Sequence, residues 1–314
     1  MRSSLIRANY QTAADAFDQW RENLLTGTPP KLYPVGEGEL AQIEVGPHLV
    51  TLFGGAPGAG KTAFVMQSVV DALRLDPDLR AVVLNIEMPP AVLLDRQLSR
   101  LSGIPAEMIR YRRLGEEHGE RLDAGMSALE EIAERLCFVR PPFDLANLAA
   151  TADAFGGDLV TLDYIQRIAP PGQHGDKRGA VDATMNYLRQ FADAGAAVVG
   201  VAAVGRSKDK SGRSTYGGDS LSLASFRESS ELEFGADDAF ILAPDDDDPS
   251  PVRCVTLKHL KARHTEPRDL RLRFDRTCQS FTVDDGGLPD SGKFESAISD
   301  LWSRTTAAEE ESVS

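Results

Sequence analysis

Eight consecutive residues match the phosphate-loop pattern GxxxxGK(S/T), between an apolar run, 49–53, and a helical segment that begins at residue 63. The eight are Gly55, Ala56, Pro57, Gly58, Ala59, Gly60, Lys61 and Thr62. In this context backbone N–H groups surround the phosphates of a nucleotide, Lys61 reaches the β- and γ-phosphates, and the Thr62 hydroxyl ligates Mg²⁺. A chance glycine-rich turn is disfavoured because the strand, the helix and all eight positions agree.

Two acidic residues follow apolar runs and could act on the same nucleotide. Asp163 ends the run 159–162, as the acid of a Walker B strand does, and such an acid holds Mg²⁺ through water. Glu87 follows the run 81–86, and ligands of an open α/β sheet bind at the carboxyl ends of its strands. If Asp163 serves the metal, Glu87 is the carboxylate that could polarise an attacking water. The alternative, that Glu87 is a solvated strand end, stays open because many surface carboxylates follow strands.

These residues must be positioned by strands and helices that alternate along the chain. The predicted strands of the first part are 49–53, 81–86, 136–139, 159–162 and 197–204. The predicted helices between them include 63–75, 90–101 and 121–135. This alternation predicts an α/β fold with a mainly parallel twisted sheet and helices on both faces. After residue 236 short strands follow one another closely, which predicts antiparallel hairpins at one edge of the sheet. They are 239–242, 252–257, 270–274 and 281–283.

Residues 12–25 form a predicted amphipathic helix near the start of the chain, with Thr12 and Asp15 spaced as a capping box. Its apolar stripe consists of Phe17, Trp20, Leu24 and Leu25. A breaker cluster, 27–30, separates this helix from the rest of the chain, so the stripe needs another surface. That surface could belong to a neighbouring subunit or to the same chain, because periodicity shows which face is apolar but not what covers it.

Five groups of residues, taken in order, carry a resemblance to a known family. They are the phosphate loop, 85–88 with Arg96, 162–166, 227–230 with 236–238, and 261–263. In order and spacing they resemble the motor domain of DnaB-type replicative helicases, over roughly residues 37–284. The stretch 99–113 is similar to the connecting region of that family. The order of five motifs is more specific than any one of them.

The resemblance implies a RecA-like fold in which ATP lies between the subunits of a ring. Glu87 would be the catalytic glutamate and Asp163 the Mg²⁺-directed acid, while Arg263 would be an arginine finger for the neighbouring subunit's ATP, with Lys261 beside it. Alternation along an extended segment places Lys261 and Arg263 on one face, which suits two cations that grip one γ-phosphate. An exposed basic strand edge would show the same pattern.

Single-stranded DNA is the partner that the resemblance implies, through loops that face the centre of the ring. Arg227 and Glu228 match one such loop, and the segment 206–213 is rich in basic residues among Ser and Gly. Its basic residues are Arg206, Lys208, Lys210 and Arg213. Because few aromatic residues are interleaved, we expect contacts to the DNA backbone without sequence preference. A solvated surface loop is an equally open interpretation of 206–213.

Two features depart from the family pattern. Where the family has a glutamine that senses the γ-phosphate, near the end of the strand 197–204, this chain has Ala203, so the coupling of hydrolysis to DNA is in question. Because about 36 residues precede the motor in this sequence, we expect the N-terminal domain of the family to be absent. We therefore expect a linker-type helix and connection in 1–36, a motor domain in 37–284 and an acidic, disordered tail in 285–314.

Composition sets further limits on the function. The chain of 314 residues has 48 acidic and 34 basic residues, a net charge of −14 that argues against a generic polyanion binder. Ten of the 14 excess charges lie in 245–248 and 284–314, so the rest is nearly neutral. Three isolated cysteines favour neither disulfides nor a zinc site and fit a reducing cytoplasm. No apolar run reaches transmembrane length, so no membrane contact is expected.

The first hypothesis is a Mg²⁺-dependent ATPase that assembles as a homo-oligomer, a hexamer, and translocates on single-stranded DNA as a minimal helicase motor. The rival is a ring or filament that uses ATP as an assembly switch, acts as a scaffold or loader and does not separate strands. Ala203 and the acidic balance favour the rival. A monomeric nucleotide sensor is a third interpretation, but a finger such as Arg263 has no purpose without a neighbour. Replication or loader proteins are further partners that either hypothesis leaves open.

Overall fold

The computed structural model describes residues 10–27, 29–172, 177–205, 207–208, 214–215, 221–226, 235–245 and 250–284. By its internal contacts the chain divides into two compact units, Met1–Leu32 and Tyr33–Ser314. The tail 285–314, predicted to be disordered, lies outside the described residues. Within the described ranges, no helix is long and apolar enough to cross a membrane.

The first unit contains one helix, α1, Ala13–Thr26. The capping box is confirmed, because the Asp15 N–H donates to the Thr12 hydroxyl and the Asp15 carboxylate accepts from the Thr12 N–H. Gly27 ends the helix with a φ of 68°, a left-handed conformation that glycine adopts without strain. The Phe17 and Trp20 rings lie 5.2 Å apart on a stripe whose side chains are 49–74% exposed.

The second unit is built on a nine-stranded sheet. Its strands are β1 Val50–Gly55, β2 Ala81–Asn85, β3 Leu136–Phe138, β4 Leu159–Asp163, β5 Ala197–Ala203, β8 Asp238–Pro244, β9 Val252–Lys261, β10 Leu270–Asp275 and β11 Ser280–Val283. Their order across the sheet is β11-β10-β9-β8-β1-β5-β4-β2-β3. Two further short strands, β6 Ser207–Lys208 and β7 Ser214–Thr215, pair with each other as a second sheet.

Six of the nine strands are parallel, and β9 to β11 are the antiparallel edge that the sequence predicts. β8 forms the predicted antiparallel hairpin with β9, but on its other side it is parallel to β1, which the sequence pattern did not predict. The connection from β5 to β8 spans more than thirty residues, which is long enough to return the chain to the same end of the sheet. β9 continues to Lys261, four residues beyond the prediction.

Helices cover both faces of this sheet. They are α2 Lys61–Leu75, α3 Pro90–Ser102, α4 Ala106–Arg110, α5 Gly119–Ala133, α6 Leu145–Phe155 and α7 Lys177–Asp193. Alternation along β1 divides the core, since Phe53 packs with Phe64 of α2 while Leu52 packs in the cluster that holds Leu188 of α7. The predicted α/β architecture with helices on both faces is therefore confirmed.

This architecture brings the carboxyl ends of β1, β2, β4 and β5 to one edge. Asn85, the last residue of β2, lies in register with Asp163, the last residue of β4. Gly55 at the end of β1 lies in register with Ala203 at the end of β5. Because parallel strands end together, residues that are distant in the chain become neighbours here.

Candidate nucleotide-binding site

A cleft of about 630 Å³ opens at this edge of the sheet and is lined by the phosphate loop. The loop leaves β1 at Gly55 and enters α2 at Lys61, as its sequence pattern predicts. Gly60 has a φ of 91°, and a Cβ there would lie 2.7 Å from the Phe281 ring, so only glycine fits this turn. The loop therefore places backbone N–H groups and the N-terminus of a helix at the cleft.

Lys61 lies at the base of the cleft, where its ammonium donates to the carbonyl oxygens of Gly55 at 2.8 Å and Ala56 at 2.9 Å. Burial lowers the pKa of Lys61, and the charges of Asp163 and Glu87 act in the opposite direction. A phosphate brought to the loop would satisfy this buried cation with full negative charge.

The oxygen atoms suited to a magnesium ion come from Thr62 and Asp163. The Thr62 hydroxyl donates to Oδ2 of Asp163 at 2.5 Å, and the Asn85 amide donates to the same oxygen at 3.0 Å. Burial raises the pKa of Asp163 and the Glu87 charge adds to this, while the Thr62 hydrogen bond, the Lys61 charge and the Asn85 hydrogen bond oppose it. A divalent cation would compensate the cost of keeping this carboxylate ionised.

A hydroxyl and a carboxylate are hard oxygen ligands, and Mg²⁺ completes its coordination with water and substrate phosphates. Across the part of the chain that the structure describes, no group of three His, Cys, Asp or Glu residues could hold a metal by itself. The donor set of Thr62 and Asp163 therefore fits an ion that arrives with a nucleotide.

Glu87 lines the same cleft, one residue past Ile86, which follows β2. The Asn85 side-chain oxygen accepts from the backbone N–H of Glu87 at 3.0 Å and of Met88 at 2.8 Å, which fixes the turn after the strand. The Ile86 N–H donates to the Asp163 carbonyl at 3.0 Å. Sequence reasoning missed the positioning role of Asn85, although a buried amide at the end of an apolar strand is a signal for it.

Residues of α3, of β10 and of the turn before β11 also line the cleft, and sequence reasoning gave them no role there. Arg96 comes from α3, and Phe274, Arg276 and Gln279 come from β10 and the turn before β11. Burial lowers the pKa of Arg96, the nearby Arg110 lowers it further, and Asp163 opposes both. The turn before β11 carries no local motif, so only the sheet topology brings it to the cleft.

The antiparallel edge also contacts the phosphate loop directly. Arg253 of β9 donates to the Gly58 carbonyl, and its guanidinium lies 5.7 Å from the centre of the Phe274 ring. The antiparallel strands thus hold the outer side of the loop, which sequence reasoning did not anticipate.

The predicted finger residues lie elsewhere. Lys261 donates to the Ala236 carbonyl at 2.7 Å, and Arg263 pairs with Asp237 at 2.5 Å. The strand ends at Lys261, so the alternation argument does not extend to Arg263, but the two side chains still reach adjacent residues. Neither is among the described residues that line the cleft of this chain. Asp237 is buried and also accepts from Arg189 and from the Val50 N–H.

Most of the predicted DNA-contacting residues lie outside the described residues. These are Arg206, Lys210, Arg213, Arg227 and Glu228. The backbone of Lys208 belongs to β6, but its side chain also lies outside the described part. Ala203 ends β5 and lines the cleft, as its place in the predicted strand implies.

The strand order, the phosphate loop after β1 and the acid that ends β4 define a RecA-like P-loop ATPase domain. The chain belongs to the family of the DnaB-like helicase C-terminal domain, whose model matches residues 45–283. The resemblance drawn from the five motifs is thereby confirmed.

Solved structures agree on the fold. One of them, an ATPase domain, superposes with a TM-score of 0.74 at 19% identity and covers 88% of this chain and 99% of that chain. A DnaB-like replicative helicase, solved in a study of its interactions with primase, gives a TM-score of 0.71 at 18% identity over 88% of this chain and 67% of that chain. No curated protein matches the sequence.

Proposed function

We propose that this chain is a Mg²⁺-dependent ATPase that assembles into a ring, a hexamer, and translocates on single-stranded DNA. The observation that carries the proposal is the line of hydrogen bonds from Thr62 through Asp163 and Asn85 to the backbone of Glu87. It joins the helix after the phosphate loop to both acids of the cleft. Such an arrangement supports phosphoryl transfer to water, where positioning and electrostatics provide most of the catalysis.

In this proposal each side chain has one task. Lys61 binds the β- and γ-phosphates, and Thr62 with Asp163 would hold Mg²⁺, which neutralises charge on the phosphate oxygens when it is bound. Glu87 orients the attacking water and accepts its proton, because Asp163 is already engaged with Thr62 and Asn85.

Assembly is proposed because the two predicted finger cations lie away from the cleft of their own chain. The Arg263 side chain is 45% exposed although it pairs with Asp237. An exposed guanidinium can exchange that partner for the γ-phosphate of a neighbour, with Lys261 beside it. The apolar stripe of α1 is proposed to dock on a neighbouring subunit.

Binding to single-stranded DNA rests on the sequence of the segments 206–213 and 227–230. The described ends of these segments, at Gly205 and Phe226, lie close to Ala203 at the cleft. We propose sequence-independent contacts to the DNA backbone, a cytoplasmic location, the domain limits 1–36, 37–284 and 285–314, and replication or loader proteins as partners.

One experiment tests the catalytic part of this proposal. ATP hydrolysis is measured for the wild type, Lys61→Ala and Glu87→Gln, and nucleotide binding is measured in parallel with a fluorescent ATP analogue. Lys61→Ala should lose binding and hydrolysis, whereas Glu87→Gln should keep binding and lose hydrolysis. Hydrolysis near the wild-type rate in Lys61→Ala would refute the site assignment.

A second candidate function is an ATP-switched scaffold or loader that does not separate strands. Ala203 favours it, since a methyl group at the cleft cannot hydrogen-bond to a γ-phosphate. The net charge of −14 points the same way. The two functions differ in whether single-stranded DNA accelerates hydrolysis and whether a forked duplex is unwound in the presence of ATP.

A further inference from the structure

Gln166 lies in a single 3₁₀ turn, Ile165–Arg167, that comes after β4 and Asp163. Its side-chain amide makes two hydrogen bonds to one residue, Ala203. The Ala203 N–H donates to Oε1 of Gln166 at 3.1 Å, and Nε2 of Gln166 donates to the Ala203 carbonyl at 3.2 Å. Both backbone groups of Ala203 are thus held by one planar side chain.

The position of this contact within the sheet explains why a side chain is needed. Pairing between β4 and β5 ends where Asp163 lies in register with Val201, because the chain leaves the sheet after Asp163. Beyond that pair, Gln166 gives β5 the two hydrogen bonds that a longer β4 would have given. On its other side, Ala203 still pairs with Gly55 of the phosphate loop.

The chain beyond Ala203 leads directly to the predicted DNA segments. Val204 forms a β-bridge with Phe226, and the Gly205 N–H donates to the Ser225 carbonyl at 2.7 Å. Residues 206 and 227, where the basic segments begin, are the next residues along the chain on each side. Gln166 and the end of β5 therefore connect Asp163 with Gly205 and Phe226, the described residues after which the two predicted DNA segments begin.

We propose that Gln166 is a positioning residue that connects Gly205 and Phe226 to the Asp163 end of β4, so that the state of the nucleotide sets the position of these two residues, after which the predicted DNA segments begin. Because the Ala203 side chain offers no hydrogen bond, the connection uses the Ala203 backbone. The inference deepens the proposed function and rests on it for the identity of DNA as the ligand of the segments. The link itself concerns residues 163, 166, 203 and 205 alone.

The chain offers a matched control. Gln67 of α2 makes the same pair of hydrogen bonds to the backbone of one residue, Phe281 of β11, with both distances at 2.8 Å. Replacing either glutamine with methionine removes two similar hydrogen bonds at nearly constant volume. Only Gln166 contacts the strand that leads to the DNA segments.

The primary test is amide hydrogen exchange of the wild type, Gln166→Met and Gln67→Met with ADP and with a non-hydrolysable ATP analogue. We expect the exchange rates of the Gly205 and Phe226 amides to differ at least fivefold between the two nucleotides in the wild type and in Gln67→Met. In Gln166→Met this difference should fall below twofold, while affinity for the ATP analogue changes less than threefold. Should Gln166→Met not fold, Gln166→Glu, which keeps the acceptor for the Ala203 N–H but not the donor, replaces it with the same expectation.

The inference would be overturned if the exchange rates of Gly205 and Phe226 depended on the nucleotide equally in the wild type and in the Gln166 variant. It would also be overturned if Gln67→Met lost this dependence to the same degree as the Gln166 variant. A second measurement, the affinity for a fluorescent oligo-dT with each nucleotide, separates this inference from the proposed function. If the wild type binds no oligonucleotide in either state, the DNA role fails, while the exchange measurement still decides the role of Gln166.

Discussion

The side-chain amide of Asn85 donates a hydrogen bond to Oδ2 of Asp163 at 3.0 Å, across the ends of two neighbouring parallel strands. The oxygen of the same amide accepts from the backbone N–H groups of Glu87 and Met88. One buried side chain therefore contacts both the acid that is proposed to hold Mg²⁺ and the turn that carries the proposed catalytic carboxylate.

Asn85→Ala should consequently lower kcat more than it raises KM for ATP. The loss removes a hydrogen bond to a charged group, worth about 1.5–3 kcal/mol, so kcat should fall on the order of 10- to 100-fold. Steady-state hydrolysis at saturating Mg²⁺ measures both constants. The control is Asn147→Ala in α6, which removes side-chain hydrogen bonds to the carbonyls of Arg140 and Pro142, neither of which lines the cleft. Equal losses of kcat in the two variants would contradict the role of Asn85.

How much of this site the sequence predicts depends on the range of the interactions. The phosphate loop is contiguous, so its eight residues identify it without any knowledge of the fold. The pairing of Asn85 with Asp163 depends on the sheet order, in which β2 and β4 are adjacent although 78 residues separate the pair. Strand periodicity predicts that each strand exists but not which strands are neighbours.

Topology also explains the residues that were missed. Arg276 and Gln279 reach the cleft only because three antiparallel strands return the chain to the phosphate loop. The parallel direction of β8 results from a long connection whose path the sequence pattern does not show. Arg263 lies in a bend beyond β9, because the strand ends at Lys261 and does not continue as an extended segment through residue 263.

Asp163 should make the metal-free protein less stable as the pH rises. Burial raises its pKa, so between the unfolded pKa of about 3.9 and the higher folded value the native state binds more protons than the unfolded state. The free energy of unfolding then falls as the pH increases through that window. Asp163→Asn removes the ionisable group, so its stability relative to wild type should rise from pH 4 to pH 8.

Urea unfolding in EDTA at several pH values measures this difference. Asp153→Asn, on an exposed part of α6, is the control for the loss of one carboxylate from the chain. A stability difference for Asp163→Asn that is constant with pH would show that the carboxyl group titrates alike in the folded and unfolded chains.

The finger assignment predicts a defect that acts across subunits. Arg263→Ala should leave ATP binding largely intact but slow turnover by about 10³-fold, the lower range of effects for arginine fingers. Arg268→Ala is the matched control, because this arginine lies in the same connection and donates to Gln42. Its turnover should stay within about twofold of the wild type.

Mixed rings distinguish action in trans from local damage by Arg263→Ala. Combining Arg263→Ala subunits with Glu87→Gln subunits should restore part of the activity, since some interfaces then pair an intact finger with an intact glutamate. Subunit exchange is verified by energy transfer between labelled subunits. If no mixture exceeds the sum of the separate variants, the finger does not act on a neighbour.

The apolar stripe of α1 should contribute to assembly more than to folding. Trp20 and Leu24 are 55% and 64% exposed, and burying the exposed part of each against a neighbour would provide about 1–2 kcal/mol. Deleting residues 1–27, or substituting both residues with alanine, should lower the oligomer mass in light scattering while the melting temperature of the subunit changes little. Arg21→Ala, on the same helix, should assemble normally. An unchanged mass after the deletion would exclude this docking.

Gln166 holds the backbone of Ala203, but the methyl group of Ala203 cannot hydrogen-bond to a γ-phosphate, which predicts weak stimulation of wild-type hydrolysis by DNA. Single-stranded DNA should therefore accelerate wild-type hydrolysis less than about 10-fold, or about 1.4 kcal/mol in barrier. Ala203→Gln should increase this stimulation, since the new amide ends in the cleft while the backbone still contacts Gln166. Hydrolysis rates with and without oligo-dT at two salt concentrations provide the measurement, and binding should weaken at the higher salt because phosphate contacts dominate.

The double variant Ala203→Gln with Gln166→Met decides whether the two residues act on the same element. If Gln166 holds the strand end that carries the new glutamine, the gain from Ala203→Gln should be lost in the double variant, and the two changes will not be additive. A full gain in the absence of Gln166 would mean that residue 203 reports the γ-phosphate without that support. Strong stimulation of the wild type itself would show that another residue senses the nucleotide, and would favour the helicase motor over the scaffold.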